Sequence, residues 1–302
     1  MATPPTSLGR SSLLNLRAKA ETLLGVITLI WGSTFVIVKG ALSDASPLPF
    51  LALRFTAAGI LLLAALGRGR VDRKAVMPGV VLGVFLFCGY LCQTWGLTLT
   101  TPSKSAFLTG FSVILVPLIL LFRGFRMRFA NVLGALLGLG GIYLLVLPSR
   151  LESVNKGDAL TLLGAVSFAV HIVLVGTYTR RISFLHLVPT QILTVGLLAT
   201  LATPLDPALV LHWTGRLILA LAVTTVFATC IAFSVQNWAQ QYTPAAHTAL
   251  IFALEPVFAA LTSRFVMGER LGGKVLVGAV CILGGMVVSE VWGGTAPSPL
   301  ES

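Results

Sequence analysis

Long apolar stretches, each bounded by short polar or Gly/Pro-rich joins, recur along the whole 302-residue chain. They cover about 22–42, 49–66, 75–97, 102–122, 130–148, 158–178, 184–203, 215–238, 244–266 and 273–292. Each is long enough to cross the hydrocarbon of a bilayer as a helix. A spanning segment must satisfy its own backbone hydrogen bonds, which favours helices over every open alternative. The pattern predicts an all-α integral membrane protein of ten transmembrane helices. Pro102 and Pro244 fall at first-turn positions, where a missing N–H costs little.

Composition agrees. Hydrophobic residues make up 56% of the chain and charged ones only 10%, against about 25% charged in soluble domains. The mean hydropathy is +0.94. A soluble fold is excluded, and the net charge of +11 need not mean nucleic acid, because basic residues in multi-span proteins set orientation. Arg10, Arg17, Lys19, Arg68, Arg70, Arg73, Lys74, Arg123, Arg126, Arg128, Arg180 and Arg181 fall in one set of alternate joins. Only Arg150, Lys156, Arg270 and, at its edge, Lys274 fall in the other. The first set is assigned to the cytoplasm of a cell (inner) membrane protein, with the tails 1–21 and 293–302 both inside. The first apolar run lacks a small-residue cleavage site and reads as a retained span. Cys88, Cys92, Cys230 and Cys281 lie in apolar runs without metal-ligand spacing, so neither a metal nor a cofactor is expected.

The chain also resembles itself. CQTWGLTLTTPSKSAFL (92–108) is echoed by VQNWAQQYTPAAHTAL (235–250), and NVLGALLGLGGIYLLV (131–146) by KVLVGAVCILGGMVVS (274–289). Gln93-x-Trp95 stands opposite Gln236-x-Trp238, and Gly140-Gly141 opposite Gly284-Gly285. The halves, 22–148 and 158–292, hold five helices each. Five is odd, so the second half inserts upside down relative to the first. Inverted repeats around a central cavity are the architecture of secondary transporters.

Trp31-Gly32-Ser33-Thr34-Phe35 with Lys39, Leu53-Arg54-Phe55, and Glu255-Pro256 followed by Gly268-Glu269-Arg270-Leu271 and Gly284-Gly285 resemble the drug/metabolite transporter superfamily, in its ten-helix EamA-type exporter branch. In length and layout the chain resembles the YddG-like amino-acid exporters within that branch. The resemblance implies a basket of two inverted five-helix repeats that moves small metabolites by alternating access. The chain departs from its own symmetry at one point: the first half has Val116-Pro117 where the second has Glu255-Pro256.

Polar and aromatic side chains inside the spans are the candidates for transport, since intramembrane ionisable groups are costly and face a cavity or a partner. Trp31, beside Ser33 and Thr34, and His171 lie at similar depth in corresponding helices. They either line one pocket, stacking on a ligand and offering a hydrogen bond or proton, or pack between helices. Tyr90 and Gln93 either bind an amino acid's polar groups or tie helices together. Trp95 and Trp238 end helices at opposite faces and read as an interfacial belt or as paired gates. Lys39 and Arg54 lie near the outer ends of their helices and can snorkel. For Arg54, a structural ion pair, carbonyl capping and direct substrate binding stay open. Lys104 and His247 read as solvated or capping groups, and Glu269 with Arg270 as a cap or hinge.

Glu255 lies about eleven residues, or roughly 16 Å, into its helix. Pro117 and Pro256 are expected to kink their helices. Glu255 is either a cavity-facing proton site or counter-ion, or a group that bonds the backbone freed by the kink.

The function expected is a secondary exporter of small amphipathic metabolites, amino acids first, either aromatic or otherwise neutral. The alternatives are an uncoupled facilitator, or an exporter of other metabolites, cationic drugs or nucleotide sugars. No Gly-x4-Gly-Lys-Ser/Thr motif is present for ATP, and no catalytic set converges, so no catalytic residue is named. The partners expected are a small-molecule substrate and the lipid bilayer, with no nucleic acid, and the chain as a monomer.

Overall fold

The computed structural model describes residues 10–66, 72–125, 128–146, 155–207, 209–267 and 273–292. The helices are α1 (Arg10–Ala41), α2 (Pro47–Leu66), α3 (Arg73–Leu99), α4 (Pro102–Thr109), α5 (Ser112–Phe122), α6 (Phe129–Val146) and α7 (Lys156–Tyr178). They continue with α8 (Phe184–Ala202), α9 (Gly215–Thr225), α10 (Ala232–Ala239), α11 (Ala245–Phe252), α12 (Glu255–Met267) and α13 (Gly273–Val291). A π-helical turn, Val226–Ile231, joins α9 to α10. The Glu269–Arg270 pair lies outside the described residues.

Among the described residues, eight helical spans are long and apolar enough to cross a membrane: Ser12–Ala41, Pro47–Leu66, Arg73–Leu99, Pro102–Phe122, Lys156–Tyr178, Phe184–Leu205, Gly215–Ala239 and Ala245–Val266. A shorter apolar helix covers Phe129–Leu144. This is a multi-pass membrane protein. α6 and α13 occupy the fifth and tenth apolar stretches and pack on each other. Their backbones touch: a Cβ on Gly141 would stand 2.5 Å from the Gly278 carbonyl oxygen, and one on Gly285 2.5 Å from that of Gly134. Small residues permit such approach where no hydrophobic force drives helices together.

Two of the spans are broken. α4 and α11 are eight residues each, and each is followed by two non-helical residues, Gly110-Phe111 and Ala253-Leu254. Ser112 and Glu255 then open α5 and α12. Neither proline lies within a break. α5 runs through Pro117 without interruption, and the break lies further upstream, at Gly110-Phe111, beyond Val113, the residue four before the proline that it would perturb. Pro256 is the second residue of α12, where its missing N–H is one that the helix leaves unused. Ser112 stands first after one break as Glu255 stands first after the other.

One end of the bundle is stapled across connections distant in sequence. Between α1 and α2, Asp44 accepts from Arg216 Nε and Nη2 at 2.8 Å each and from Thr214 Oγ1 at 2.7 Å. The backbone adds His212 N to Asp44 O at 2.7 Å and Ser46 N to Val210 O at 2.9 Å. Nearby, Lys39 Nζ donates to the carbonyls of Leu97, Thr98 and Thr100, and so closes the end of α3 rather than reaching for water. Lys104 pairs with Asp158 at 2.7 Å, and Asp158 completes a capping box with Asn155 at the start of α7. At the opposite end Trp238 lies against Tyr242, centroids 5.3 Å apart, with Lys19 Nζ 5.9 Å from its ring. His247 Nε2 lies 3.8 Å from Glu21.

The Asp44 staple carries a pH signature. The hydrogen bonds from Arg216 and Thr214 hold the Asp44 carboxyl down from 3.8 to about 2. A depressed folded-state value contributes stability that is complete above about 3.8 and lost as pH falls through about 2. Purified protein should therefore melt with no contribution from this group to any change between pH 8 and pH 5. Asp44→Asn should lower the melting temperature throughout that range and reduce the further fall below pH 4. Identical melting curves for the two proteins at pH 7 would show that the staple is not formed.

Candidate functional site

Between the broken spans lies a cavity with about 760 Å³ of space outside the protein atoms, the open solvent at its mouth included. Its wall draws on α1, α2, α3, α4, α5, α7, α10, α11 and α12. The lining is largely aromatic and aliphatic, through Trp31, Phe35, Leu86, Phe168, Phe233 and Phe252, with a small polar set let into it.

Glu255 belongs to that set. It is 8% exposed, lines the cavity, and makes no side-chain hydrogen bond or ion pair among the described residues. Its carboxylate therefore does not bond the backbone groups around the break. What the break does supply is position: Glu255 is the first residue of α12, and the N-terminal end of a helix is the end that favours negative charge. Ser112, first in α5, reaches the same cavity from the other broken span. Discontinuous helices that present their N-termini to a central site are a recurring device of transporters.

Four of the other sequence candidates also meet here. Trp31 lines the cavity between Phe233 and Phe252, with centroids 5.4 and 5.1 Å away, and its Nε1 donates to Ala228 O at 2.9 Å. It thus both faces the cavity and ties α1 to the π-turn. Tyr90 is buried between Phe55 and Phe168, centroids 4.9 and 5.2 Å away. Gln93 donates to Thr109 Oγ1 at 2.9 Å across α3 and α4.

His171 heads a chain whose directions can be read from its far end. The Phe233 carbonyl can only accept, so Asn237 Nδ2 donates to it, at 2.9 Å. Asn237 Oδ1 then accepts from Gln191 Nε2 at 3.1 Å, and Gln191 Oε1 is left to accept from His171 Nε2 at 2.8 Å. A proton on His171 is thereby placed on Nε2, and in a neutral ring Nδ1 is the acceptor. His171 both lines the cavity and bonds a neighbouring helix, so the two sequence readings of it coexist.

One expectation needs correction, and three further candidates find their places. Ser33 does not line the cavity: it accepts from Thr262 Oγ1 at 3.0 Å on the α12 side, and its neighbour Thr34 takes the cavity face. Successive residues point about 100° apart on a helix, and only packing decides which faces in. Trp95 and Trp238 lie outside the cavity lining, toward opposite ends of the bundle. Arg54 reaches a backbone carbonyl, that of Ala228, in keeping with the capping reading left open for it. It is 3% exposed and lines the cavity, with its guanidinium 4.8 Å from the centre of the Tyr90 ring and 4.9 Å from that of Phe55.

Sequence reasoning also left out Thr94, Thr109, Phe168 and Phe252 as lining groups. Gln236, noted only as the repeat partner of Gln93, borders the cavity with its Oε1 unbonded while its Nε2 donates to Gln240. Among the described residues no group of three or more His, Cys, Asp or Glu is placed to hold a metal ion.

Comparison with known proteins gives this arrangement its family. The model of the EamA-like transporter family matches twice, at residues 19–147 and 155–290. A protein of Archaeoglobus fulgidus named as an uncharacterized transporter is 36% identical over 276 residues, covering 90% of this chain and 86% of its own. The uncharacterized inner membrane transporter YedA of Escherichia coli K12 is 26% identical over 292 residues, covering 89% and 88%. A crystal structure superposes with a TM-score of 0.74 at 22% identity, over 91% of this chain and 99% of that one, a likeness of fold alone. Matched by the family model across almost its whole length, the chain belongs to the EamA-like transporter family.

Proposed function

We propose that this membrane transporter is a secondary exporter of small amphipathic metabolites, neutral amino acids with aromatic side chains first among them. The observation that carries the reading is the Glu255 carboxylate, buried without a partner in a cavity whose other walls are largely aromatic and aliphatic. A carboxylate so placed can exchange a proton, or meet the ammonium of a ligand whose apolar part packs on Trp31 and Phe233. Such a ligand matches the lining in both respects.

The transport cycle follows from the architecture. Ten spans form two five-helix halves, 22–148 and 158–292, inserted in opposite directions with both termini in the cytoplasm. Support comes from the family model's two matches, the two breaks after eight-residue segments, and the reciprocal glycine contacts of α6 and α13. Halves related in this way can rock about a central site and expose it to each face in turn.

The test is counterflow in proteoliposomes. Vesicles loaded with unlabelled tryptophan, phenylalanine or leucine should accumulate the labelled form, and an imposed pH gradient should change the extent. Counterflow without response to the gradient would remove proton coupling. No counterflow for any neutral amino acid would remove the substrate class.

A further inference from the structure

The π-turn and Arg54 belong together, and no role assigned so far uses them. In Val226–Ile231 the backbone bonds run one residue further back than in an α-helix, as Ala232 N to Phe227 O shows. The widened turn leaves the Ala228 carbonyl to accept from Arg54 Nη2 at 3.4 Å as well as from Trp31 Nε1. Thr229 Oγ1 spends its proton on Thr224 O, five residues back, so it meets Arg54 Nε as an acceptor, at 2.9 Å. Single π-turns inside helices occur disproportionately at functional sites.

Every partner of this guanidinium is neutral. Thr229 and Ala228 take two of its donors, the Tyr90 hydroxyl meets it as a further polar neighbour, the Tyr90 and Phe55 rings flank it, and no carboxylate among the described residues pairs with it. An unpaired cation buried in a membrane protein is costly and marks a pathway or ligand site. The guanidinium fork matches a carboxylate better than any other side chain does. The cavity also has acceptors away from Arg54: the Glu255 carboxylate and Gln236 Oε1, neither of which has a partner on its acceptor atoms.

We propose that Arg54, held by the π-turn at 226–231, is a carboxylate-binding subsite of the cavity. It takes the anionic end of a ligand whose cationic end faces Glu255, so the cavity selects zwitterions over amines. The proposal rests on the reading of the cavity as a substrate site.

Binding to the purified full-length protein tests it, by calorimetry with three probes: tryptophan, tryptophan amide (no carboxylate) and indole-3-propionate (no ammonium). Wild type should bind tryptophan at least ~10-fold tighter than the amide, the worth of one charge-assisted pair. Arg54→Gln should bring that ratio to about 1 while leaving the amide within ~2-fold of wild type. Thr229→Val keeps the arginine but removes its Nε acceptor, and should reduce the ratio several-fold. It decides the matter if Arg54→Gln cannot be purified. Indole-3-propionate separates this proposal from the functional one: if it binds and Arg54→Gln abolishes the binding while tryptophan is not transported, the subsite stands and amino-acid export falls. A wild type that binds acid and amide alike or binds none of the three, an Arg54→Gln that keeps the ratio, or a Thr229→Val with unchanged ratio would each overturn the subsite.

Discussion

Glu255→Gln is expected to lower transport in proteoliposomes by about 10- to 100-fold and to flatten its dependence on pH. The size follows from losing one charge-assisted hydrogen bond, about 1.5–3 kcal/mol, at about tenfold per 1.4 kcal/mol. Glutamine has the shape of glutamate and can hydrogen-bond, but it neither titrates nor carries charge. The substitution should leave the fold in place. The break before α12 is held by backbone bonds such as Ala253 N to Ala249 O and Phe258 N to Leu254 O, none of which involves the Glu255 side chain. Melting temperature should therefore stay within a few degrees of wild type. The two measurements separate the competing accounts. If Glu255 pins the kink, stability falls and the residual transport keeps its pH profile. If it serves the cavity, transport falls and stability does not. Wild-type rate with wild-type pH dependence would end the functional account.

The helices were legible because their signal is length and apolarity, which a bilayer imposes directly on sequence. The breaks inside two of them were not. Gly110-Phe111 and Ala253-Leu254 carry no distinctive chemistry, and Pro117, which does, sits inside a helix that continues through it. The cavity was legible in part. Trp31, Tyr90, Gln93, His171 and Glu255 all line it, because polar or amphipathic groups deep in an apolar run must find a cavity or a partner. For Arg54 the same logic left several roles open. Near a helix end, snorkelling is always open to an arginine, and the socket that holds this one is built by the π-turn Val226–Ile231. Its residues, VFATCI, read as ordinary apolar helix. Ser33 and Thr34 show a limit of another kind: both are small hydroxyls, and the choice between them depends on how α1 is rotated against α12.

That rotation is set by one close approach, and disturbing it should produce the largest loss of stability predicted here. A Cβ on Gly32 would stand 2.6 Å from the Glu255 carbonyl oxygen, 2.8 Å from Phe258 Cβ and 3.1 Å from Ala259 N. Two of these atoms are backbone, so no rotamer change relieves the clash and α1 must shift away from α12. Overpacking of this kind costs about 1–3 kcal/mol. Gly25, two turns earlier on α1, has nothing within 4 Å of the same added atom. Gly25→Ala should therefore gain the about 0.5–1 kcal/mol that alanine holds over glycine inside a helix. The two substitutions are chemically identical and sit in one helix, so opposite signs isolate the contact from helix propensity. Gly32→Ala should melt several degrees below wild type in detergent and lose transport as well, because α1 carries Trp31 and Thr34 while the carbonyl it would strike belongs to Glu255. Displacing α1 separates two walls of the cavity, which a loss of stability elsewhere in the bundle would not do. If Gly32→Ala and Gly25→Ala melt alike, α1 and α12 do not meet at Gly32, and the placement of Glu255 opposite Trp31 loses its support.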